Sequence, residues 1–162
     1  PDKFLAKELK FEYVSLKNLL KNSDIISLHV PNSQENFHFI RKKEIAMMKN
    51  GVILINTSRG EVIDTTALIG ALKNNKIGGV GIDVLEGEKF LKEGREFLHH
   101  PYKRSELGQL IEDNVLLSFD NVVYTPHIAF YSEESLQRII DSTIKFIEDF
   151  RKGKLNINAI VN

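Results

Sequence analysis

Hydrophobic positions along the chain fall into short apolar segments that alternate with longer series at helical spacing. The segments, predicted as strands, are residues 25–30, 52–55, 80–84 and 122–125. The second of them, Val52 to Ile55, is apolar without alternation, which is typical of a strand covered on both faces of a sheet. The helix-spaced series between them predict βαβ crossovers, because two parallel strands need a long connection. We therefore predict an α/β fold with a parallel sheet.

Capping residues and glycines set the bounds of the predicted helices. Residues 2–13 are predicted to form a short helix that runs into an extended segment, and further helices are predicted in residues 15–22, 41–49, 64–77, 105–112 and 132–152. Ser15, Asp64 and Ser132 are placed to cap three of them. Gly51 is expected to end the helix over residues 41–49 in a left-handed cap. The pair Gly78–Gly79 is expected to stop the helix that Asp64 begins.

Polar and charged side chains come directly after the predicted strands. The second strand is followed by Asn-Thr-Ser-Arg-Gly, which ends at Gly60, the third by Asp83 with Glu86 and Glu88 shortly beyond, and the fourth by His127. The carboxyl ends of parallel strands share the edge of the sheet where ligands bind. The guanidinium of Arg59, suited to a carboxylate or phosphate, should therefore meet a carboxylate and an imidazole there. This is the set of groups expected of an active site.

Each of these residues also has a purely structural interpretation. Arg59 would then pair with an acidic neighbour, since solvated ion pairs are common. Asp83 would cap the following turn, Glu88 would be a solvated charge, and His127 would be a loop histidine with satisfied hydrogen bonds. Taken one at a time, the residues leave both interpretations open.

Composition excludes several classes of function. Of the 162 residues 42% are hydrophobic, enough for a domain with a core, and Lys+Arg and Asp+Glu both number 22. This balance gives no reason to expect a nucleic acid or an anionic membrane as partner. The chain has no cysteine, which excludes disulfides and thiolate metal sites and suits the cytoplasm. No apolar run approaches the roughly 18 residues that span a bilayer.

Two further motifs are not assigned a function. Glu96-x-x-His99 lacks a third ligand on a defined element, so no metal site is predicted. The Gly-x-Gly motif at Gly79 and Gly81 is followed by a strand rather than a helix, so it is not a dinucleotide-binding fingerprint.

Four linked motifs resemble the D-isomer-specific 2-hydroxyacid dehydrogenases. They are Leu28-His-Val-Pro31, Ile55-Asn-Thr-Ser-Arg-Gly60, Gly81-Ile-Asp-Val84 with Glu88, and Thr125-Pro-His-Ile-Ala129. They occur in the family's order and at compatible separations, over essentially the whole chain. The aromatic pair Phe130-Tyr131 is most similar to the D-lactate dehydrogenase branch. The resemblance implies NAD as cofactor and a homodimer.

The resemblance also implies a role for each matched residue. Arg59 would bind the substrate carboxylate and polarise its carbonyl. His127 would be the acid/base on the substrate oxygen, with Glu88 as its carboxylate partner, and Asp83 would hold the nicotinamide carboxamide. The residues implied to line the cofactor are Val30, Pro31, Asn36, Thr57, Ser58, Arg59 and Asp83.

The chemistry of keto-acid reduction fits these roles. The reaction needs a hydride, a proton and a grip on the carboxylate, and the cofactor supplies the hydride. A bidentate arginine gives the grip and the orientation. A carboxylate beside His127 would keep a proton available near neutral pH. We therefore expect reduction to fade at high pH, while the reverse oxidation prefers neutral His127.

The sequence lacks two features of the family. No GxGxxG precedes a helix, and the acidic residue that reads the adenosine ribose is not seen, since Asp2 is interpreted as a surface charge. We interpret residues 1–127 as the C-terminal half of a Rossmann-type NAD-binding domain and residues 128–162 as a helical segment that returns to the substrate domain. This piece should bind dinucleotide poorly by itself and expose a strand edge and an apolar face. The charged stretch 89–120 is expected to cover the site or to contact another subunit.

Several functions stay open at this point. The leading hypothesis is NAD-dependent interconversion of a 2-keto acid and a D-2-hydroxy acid, with pyruvate and D-lactate first. The same residues would serve phosphoglycerate, glycerate or formate in other members of the family. A non-catalytic protein like the family's dinucleotide-sensing corepressor is a second hypothesis, and an inert remnant of a split gene is a third. The choice between NAD and NADP depends on the ribose-reading residue.

Overall fold

Four strands form one parallel sheet in the computed structural model, which describes residues 1–89 and 103–154. The strands are β1 (Ile25–Leu28), β2 (Val52–Asn56), β3 (Ile77–Ile82) and β4 (Val122–Tyr124), in the spatial order β1-β2-β3-β4. Every neighbouring pair is parallel. The predicted α/β fold with a parallel sheet is confirmed.

The register brings the carboxyl ends of the four strands level with one another. Leu28 lies beside Asn56, Asn56 beside Ile82, and Ile82 beside Tyr124. The segments that follow these four residues therefore leave the sheet side by side. They do so at the edge where open parallel sheets bind ligands.

Six α-helices lie in the described part of the chain. They are α1 (Lys3–Glu8), α2 (Leu16–Asn22), α3 (Lys42–Met47), α4 (Thr65–Lys73), α5 (Arg104–Leu117) and α6 (Glu133–Arg151). As predicted, the side chains of Ser15, Asp64 and Ser132 accept backbone N–H groups at the starts of α2, α4 and α6. The exposed side chain of Asp2 caps α1 in the same way. The chain divides into two units, Pro1–Pro126 with the sheet and His127–Asn162 with α6.

One face of the sheet carries the hydrophobic core. The buried residues that meet there come from alternate strand positions and from the helices α2 to α5, and include Leu20, Ile26, Leu28, Ile45, Leu54, Leu68, Leu72, Val80, Ile82 and Leu116. On the opposite face Ile25, Ile53 and Val123 are 58%, 43% and 68% exposed. The strands of this chain are therefore covered on one face only, in agreement with the predicted exposure of an apolar face, although the apolar run of β2 is typical of cover on both faces. Strands in sequential order with right-handed crossovers place their connections on a single face.

Glycine positions account for most of the wrong element bounds. β3 begins at Ile77, so Gly78–Gly79 lie inside the strand and do not stop α4, which ends at Lys73. A Cβ on Gly78 would lie 2.6 Å from the Gly51 carbonyl oxygen, so this strand position requires glycine. Gly51 has the expected positive φ of +78°. It lies in the turn before β2, however, and not in the cap of α3.

Two predictions fall partly or wholly on residues 90–102, which lie outside the described residues. They are the charged stretch 89–120 and the Glu96-x-x-His99 motif. Within that stretch α5 runs from Arg104 to Leu117, longer than the helix predicted over residues 105–112.

Candidate active site

The buried side chain of Asn56 holds the turn after β2. Its Oδ1 accepts hydrogen bonds from the Ser58 N–H at 3.0 Å and the Ser58 hydroxyl at 2.7 Å, and its Nδ2 donates to the Arg59 carbonyl at 2.8 Å. Asn56 is 1% exposed, whereas Arg59 is exposed. The turn thus presents the guanidinium at the carboxyl edge of the sheet. The sequence signal for this role is an asparagine directly after an apolar run, where its side chain can bind the backbone two residues on.

Gly60 brings the same turn against the segment that follows β3. A Cβ on Gly60 would overlap the carbonyl group of Leu85 and the amide nitrogen of Glu86. Both sides of this contact are backbone, so no rotamer change could relieve the overlap. The Arg59 turn and the segment leading to Glu88 are therefore direct neighbours.

Asp83 links the ends of three strands. Its N–H donates to the Asn56 carbonyl at 3.0 Å, and the Thr125 hydroxyl donates to its Oδ1 at 2.5 Å. Thr125 also donates its N–H to the Ile82 carbonyl at 3.0 Å. Asp83 is 3% exposed. A buried carboxylate at this edge is suited to accept hydrogen bonds from the amide group of a ligand.

Two residues before Glu88, the carboxylate of Glu86 is bound by two other segments. His38 Nε2 lies 2.6 Å from its Oε1, and the Thr65 hydroxyl donates to its Oε2 at 2.8 Å. Glu88 is half-buried, and its N–H donates to the Leu85 carbonyl at 3.2 Å, which closes a turn over residues 85–88. Sequence reasoning missed the Glu86–His38 pair because its members are 48 residues apart.

A second missed residue is Asp113 on α5. Its Oδ2 accepts the Gly87 N–H at 2.9 Å, and its Oδ1 accepts from Gln109 Nε2 at 3.1 Å. Asp113 is 1% exposed. Burial raises the pKa of this carboxyl, the two hydrogen bonds oppose that effect, and the nearby charges of Glu86 and Glu112 add to it. The available sequence signal was a carboxylate on the inward face of α5, one turn before Leu116.

The remaining residues predicted for the cofactor follow β1 and β2. Val30 packs against the core and Pro31 is exposed, while Asn36 Nδ2 donates to the Pro31 carbonyl at 2.9 Å. Thr57 is exposed and Ser58 half-buried directly after β2. These five residues lie in the segments that leave the level strand ends of β1 and β2.

His127 begins the second unit and has a left-handed backbone, with φ of +56°. For a residue other than glycine this conformation costs on the order of 1 kcal/mol. Residues held in it occur frequently at active sites. The first unit thus brings together Arg59, Asp83 and the turn that carries Glu88, and the second unit carries His127.

The chain matches the family model described as "D-isomer specific 2-hydroxyacid dehydrogenase, NAD binding domain" over residues 1–129. The chain belongs to this dehydrogenase family. The resemblance seen in the four motifs and the Rossmann-type architecture are confirmed. NAD is accordingly the cofactor of the domain that the chain represents.

Individual relatives agree with this assignment. The D-lactate dehydrogenase of Escherichia coli K12 is 40% identical over 159 residues, which are 96% of this chain and 45% of that protein. The D-specific alpha-keto acid dehydrogenase of Enterococcus faecalis is 39% identical over 151 residues, 91% of this chain and 44% of that protein. The crystal structure of the Aquifex aeolicus D-lactate dehydrogenase with NAD and lactic acid has a TM-score of 0.82 at 42% identity, covering 95% of this chain and 44% of that chain. The chain thus spans less than half the length of these relatives.

The groups at the carboxyl edge fit a dinucleotide of the NAD type. They include exposed hydroxyl and guanidinium donors on Thr57 and Arg59 and the buried carboxylate of Asp83. These supply donors for phosphate and ribose oxygens and an acceptor for a carboxamide. Within residues 1–89 and 103–154 no group of three or more His, Asp or Glu side chains could hold a metal ion. Across the same residues, no helix is long and apolar enough to cross a membrane.

Proposed function

We propose that the chain is the cofactor-binding and catalytic half of an NAD-dependent D-2-hydroxyacid dehydrogenase. The enzyme would interconvert a 2-keto acid and a D-2-hydroxy acid, acting together with the half of the family's length that the chain does not span. The supporting observation is the level ends of the four strands. The segments carrying Arg59, Asp83 and Glu88 leave the neighbouring strands β2 and β3 side by side, and His127 follows the end of β4 in the sequence.

Arg59 binds the substrate carboxylate in this proposal. Its exposed guanidinium stands on a turn fixed by Asn56 and by the backbone contact at Gly60, so the fork is held at the edge without being buried. Two parallel hydrogen bonds to a carboxylate fix the orientation of the substrate as well as its position. The remaining donor capacity can polarise the neighbouring carbonyl.

His127 and Glu88 move the proton in this proposal. In reduction His127 gives a proton to the substrate oxygen, and in oxidation it takes that proton back. The Glu88 carboxylate orients the imidazole and supports its charged form. NAD, when bound, supplies or accepts the hydride. The turn over residues 85–88, anchored through Glu86, supports a fixed placement of Glu88.

Asp83 holds the nicotinamide carboxamide, and the other cofactor contacts come from the segments after β1 and β2. The residues proposed for these contacts are Val30, Pro31, Asn36, Thr57, Ser58 and Arg59. A homodimer and a cytoplasmic location stay predictions from the sequence.

Pyruvate and D-lactate are the proposed substrate pair. Supporting this choice are the names of the E. coli and A. aeolicus relatives and the aromatic pair Phe130-Tyr131, whose rings meet edge to face with centroids 6.0 Å apart. The E. faecalis relative is named for alpha-keto acids in general, so branched 2-keto acids belong in the same assay.

The test is oxidation of NADH with pyruvate by the complete protein in which the chain acts. We expect His127→Ala to lower kcat about 10²- to 10⁴-fold, because the proton donor is lost, with the Kd for NADH unchanged. Arg59→Lys should raise KM for pyruvate about 10- to 100-fold, because the bidentate grip is lost. Reduction should fade at high pH and the reverse oxidation at low pH.

The same assay separates catalysis from dinucleotide sensing. A protein that binds NADH but turns over no 2-keto acid would contradict the proposal and favour a corepressor-like role. Flat pH profiles in both directions would contradict the assignment of His127.

A further inference from the structure

The turn over residues 85–88, which carries the proposed carboxylate partner of His127, is held from outside by a buried charge on α5. We propose that Asp113 is a positioning residue that fixes Glu88 for the reaction by binding the N–H of Gly87. This inference rests on the function proposed above for Glu88. None of the four sequence motifs of the site lies on α5.

The contact between Asp113 and Gly87 depends on the chemistry of both residues. A Cβ on Gly87 would lie 2.6 Å from Asp113 Oδ2, so a side chain at residue 87 would require this carboxylate to shift. Both partners of Asp113 are donors, namely the Gly87 N–H and Gln109 Nε2. The ionised carboxyl is the form that offers an acceptor oxygen to each of them.

Hydrogen bonds connect this contact to the other anchor of the same turn. Gln109 Nε2 also lies 3.4 Å from the Thr65 hydroxyl, and that hydroxyl donates to Glu86 at 2.8 Å. The network therefore leaves the turn at Glu86 and returns to it at Gly87, the next residue. A turn bound at two consecutive residues from outside has little freedom to move the side chain that follows, which is Glu88.

A positioning role explains why a carboxylate is buried here. An apolar residue at an inward position of α5 would avoid the cost of removing a charge from water, and buried charges seldom stabilise a fold better than a well-packed apolar side chain. Leu116, one turn further along α5, is an apolar residue buried on the same helix. The carboxylate provides what leucine cannot, a directed bond to the backbone beside Glu88.

The experiment compares three α5 variants in the complete protein. Asp113→Ala removes the acceptor. Asp113→Asn keeps one oxygen for the Gly87 N–H, because the Gln109 amide can rotate and accept from the introduced amide. Glu112→Ala is the matched control, since among the described residues Glu112 accepts a hydrogen bond only from the Thr66 hydroxyl, on α4.

We expect Asp113→Ala to lower kcat for keto-acid reduction about 10- to 100-fold, because a misplacement of about 1 Å has effects of that size. The Kd for NADH should not change, and Asp113→Asn and Glu112→Ala should stay near the original kcat. The pH at which reduction falls to half should move to lower values in Asp113→Ala, as in Glu88→Gln. The Gly87 amide should exchange its hydrogen faster in Asp113→Ala only.

Three results would overturn the inference. They are an unchanged kcat in Asp113→Ala, an equal loss of kcat in Asp113→Ala and Asp113→Asn, and a kcat loss without a shift of the pH profile, which would indicate a purely structural role. If Glu88→Gln lowers kcat while Asp113→Ala does not, the inference fails alone. If the unaltered protein reduces no 2-keto acid, the proposed function fails and this role for Asp113 fails with it.

Discussion

At the scale of single residues, the Asp113 carboxyl gives the chain a pH dependence of its own. Burial raises the pKa of this group from its ordinary value of 3.8, with Glu86 and Glu112 adding to the effect. Above that ordinary pKa the native state therefore binds more protons at this site than the unfolded state does. Its contribution to the free energy of unfolding must then fall as the pH rises through the window up to the raised pKa.

We expect Asp113→Asn to remove this dependence, because the amide does not titrate. The free energy of unfolding of the variant, minus that of the unaltered chain, should rise as the pH increases from about 4 towards 7. Urea unfolding of both chains at several pH values measures the difference, and all other titrating groups are common to both. A difference that is constant or falls over this range would contradict the raised pKa.

Residue chemistry at the strand ends could be predicted from the sequence, but the residues that support it could not. Arg59, Asp83 and His127 follow apolar runs within a few residues, so the end of each predicted strand also predicts the edge to which they belong. Asp113 and Gly87 are 26 residues apart. These two residues meet only because of the way α5 packs on the core, and the sequence pattern does not show how α5 packs.

At the scale of elements, close backbone approach decides where glycine is required. The sequence pattern treated Gly78–Gly79 as a helix stop, whereas Gly78 lies inside β3, where the backbone of Gly51 leaves no room for a side chain. Strand number, order of types and the helix starts at Ser15, Asp64 and Ser132 followed from periodicity and capping chemistry. The element bounds that were predicted from glycine positions did not follow, because glycine occurs both at helix ends and where two backbone segments come close together.

Because the Arg59 turn contacts the segment after β3 through Gly60, a single methyl group added at Gly60 should have a large effect on stability. We expect Gly60→Ala to lower the free energy of unfolding by about 2 to 4 kcal/mol, since two backbone segments must separate. Gly70→Ala is the matched control. Gly70 lies inside α4 with nothing within 4 Å of a new Cβ, so the same substitution should stabilise the chain by about 0.5–1 kcal/mol.

Denaturant unfolding of the isolated chain measures both glycine variants. In the complete protein, Gly60→Ala should also raise KM for the keto acid, because Arg59 moves with its turn. A Gly60→Ala chain as stable as the original would show that the two segments can separate at little cost. A destabilised Gly70→Ala chain would instead indicate an unrecognised contact on α4.

At the scale of the whole chain, one face of the sheet and the helix α6 leave large apolar side chains exposed to solvent. Ile25 and Ile53 are register partners on the face opposite the core, and Val123 lies on the same face beside Gly81. On α6, Ile139, Ile140, Ile144 and Ile147 are each about half exposed. Exposed apolar surface of this extent marks an interaction site or a tendency to associate.

The expected exposure of an apolar face is thus observed. The sequence pattern could not show which face, because a buried strand of a complete sheet has the same apolar run.

We expect the isolated chain to associate at raised concentration through the exposed face of the sheet. Replacing Ile25, Ile53 and Val123 together by threonine should reduce this association and leave the fold intact, because threonine keeps the β-branched shape and favours strands. Gel filtration over a range of concentrations, with circular dichroism of the same samples, measures both effects. Val80→Thr is the control on the buried face, where an unpaired hydroxyl should lower the free energy of unfolding by about 1–3 kcal/mol. A chain that stays monomeric at every concentration would contradict the prediction, and so would a triple variant that associates as strongly as the original.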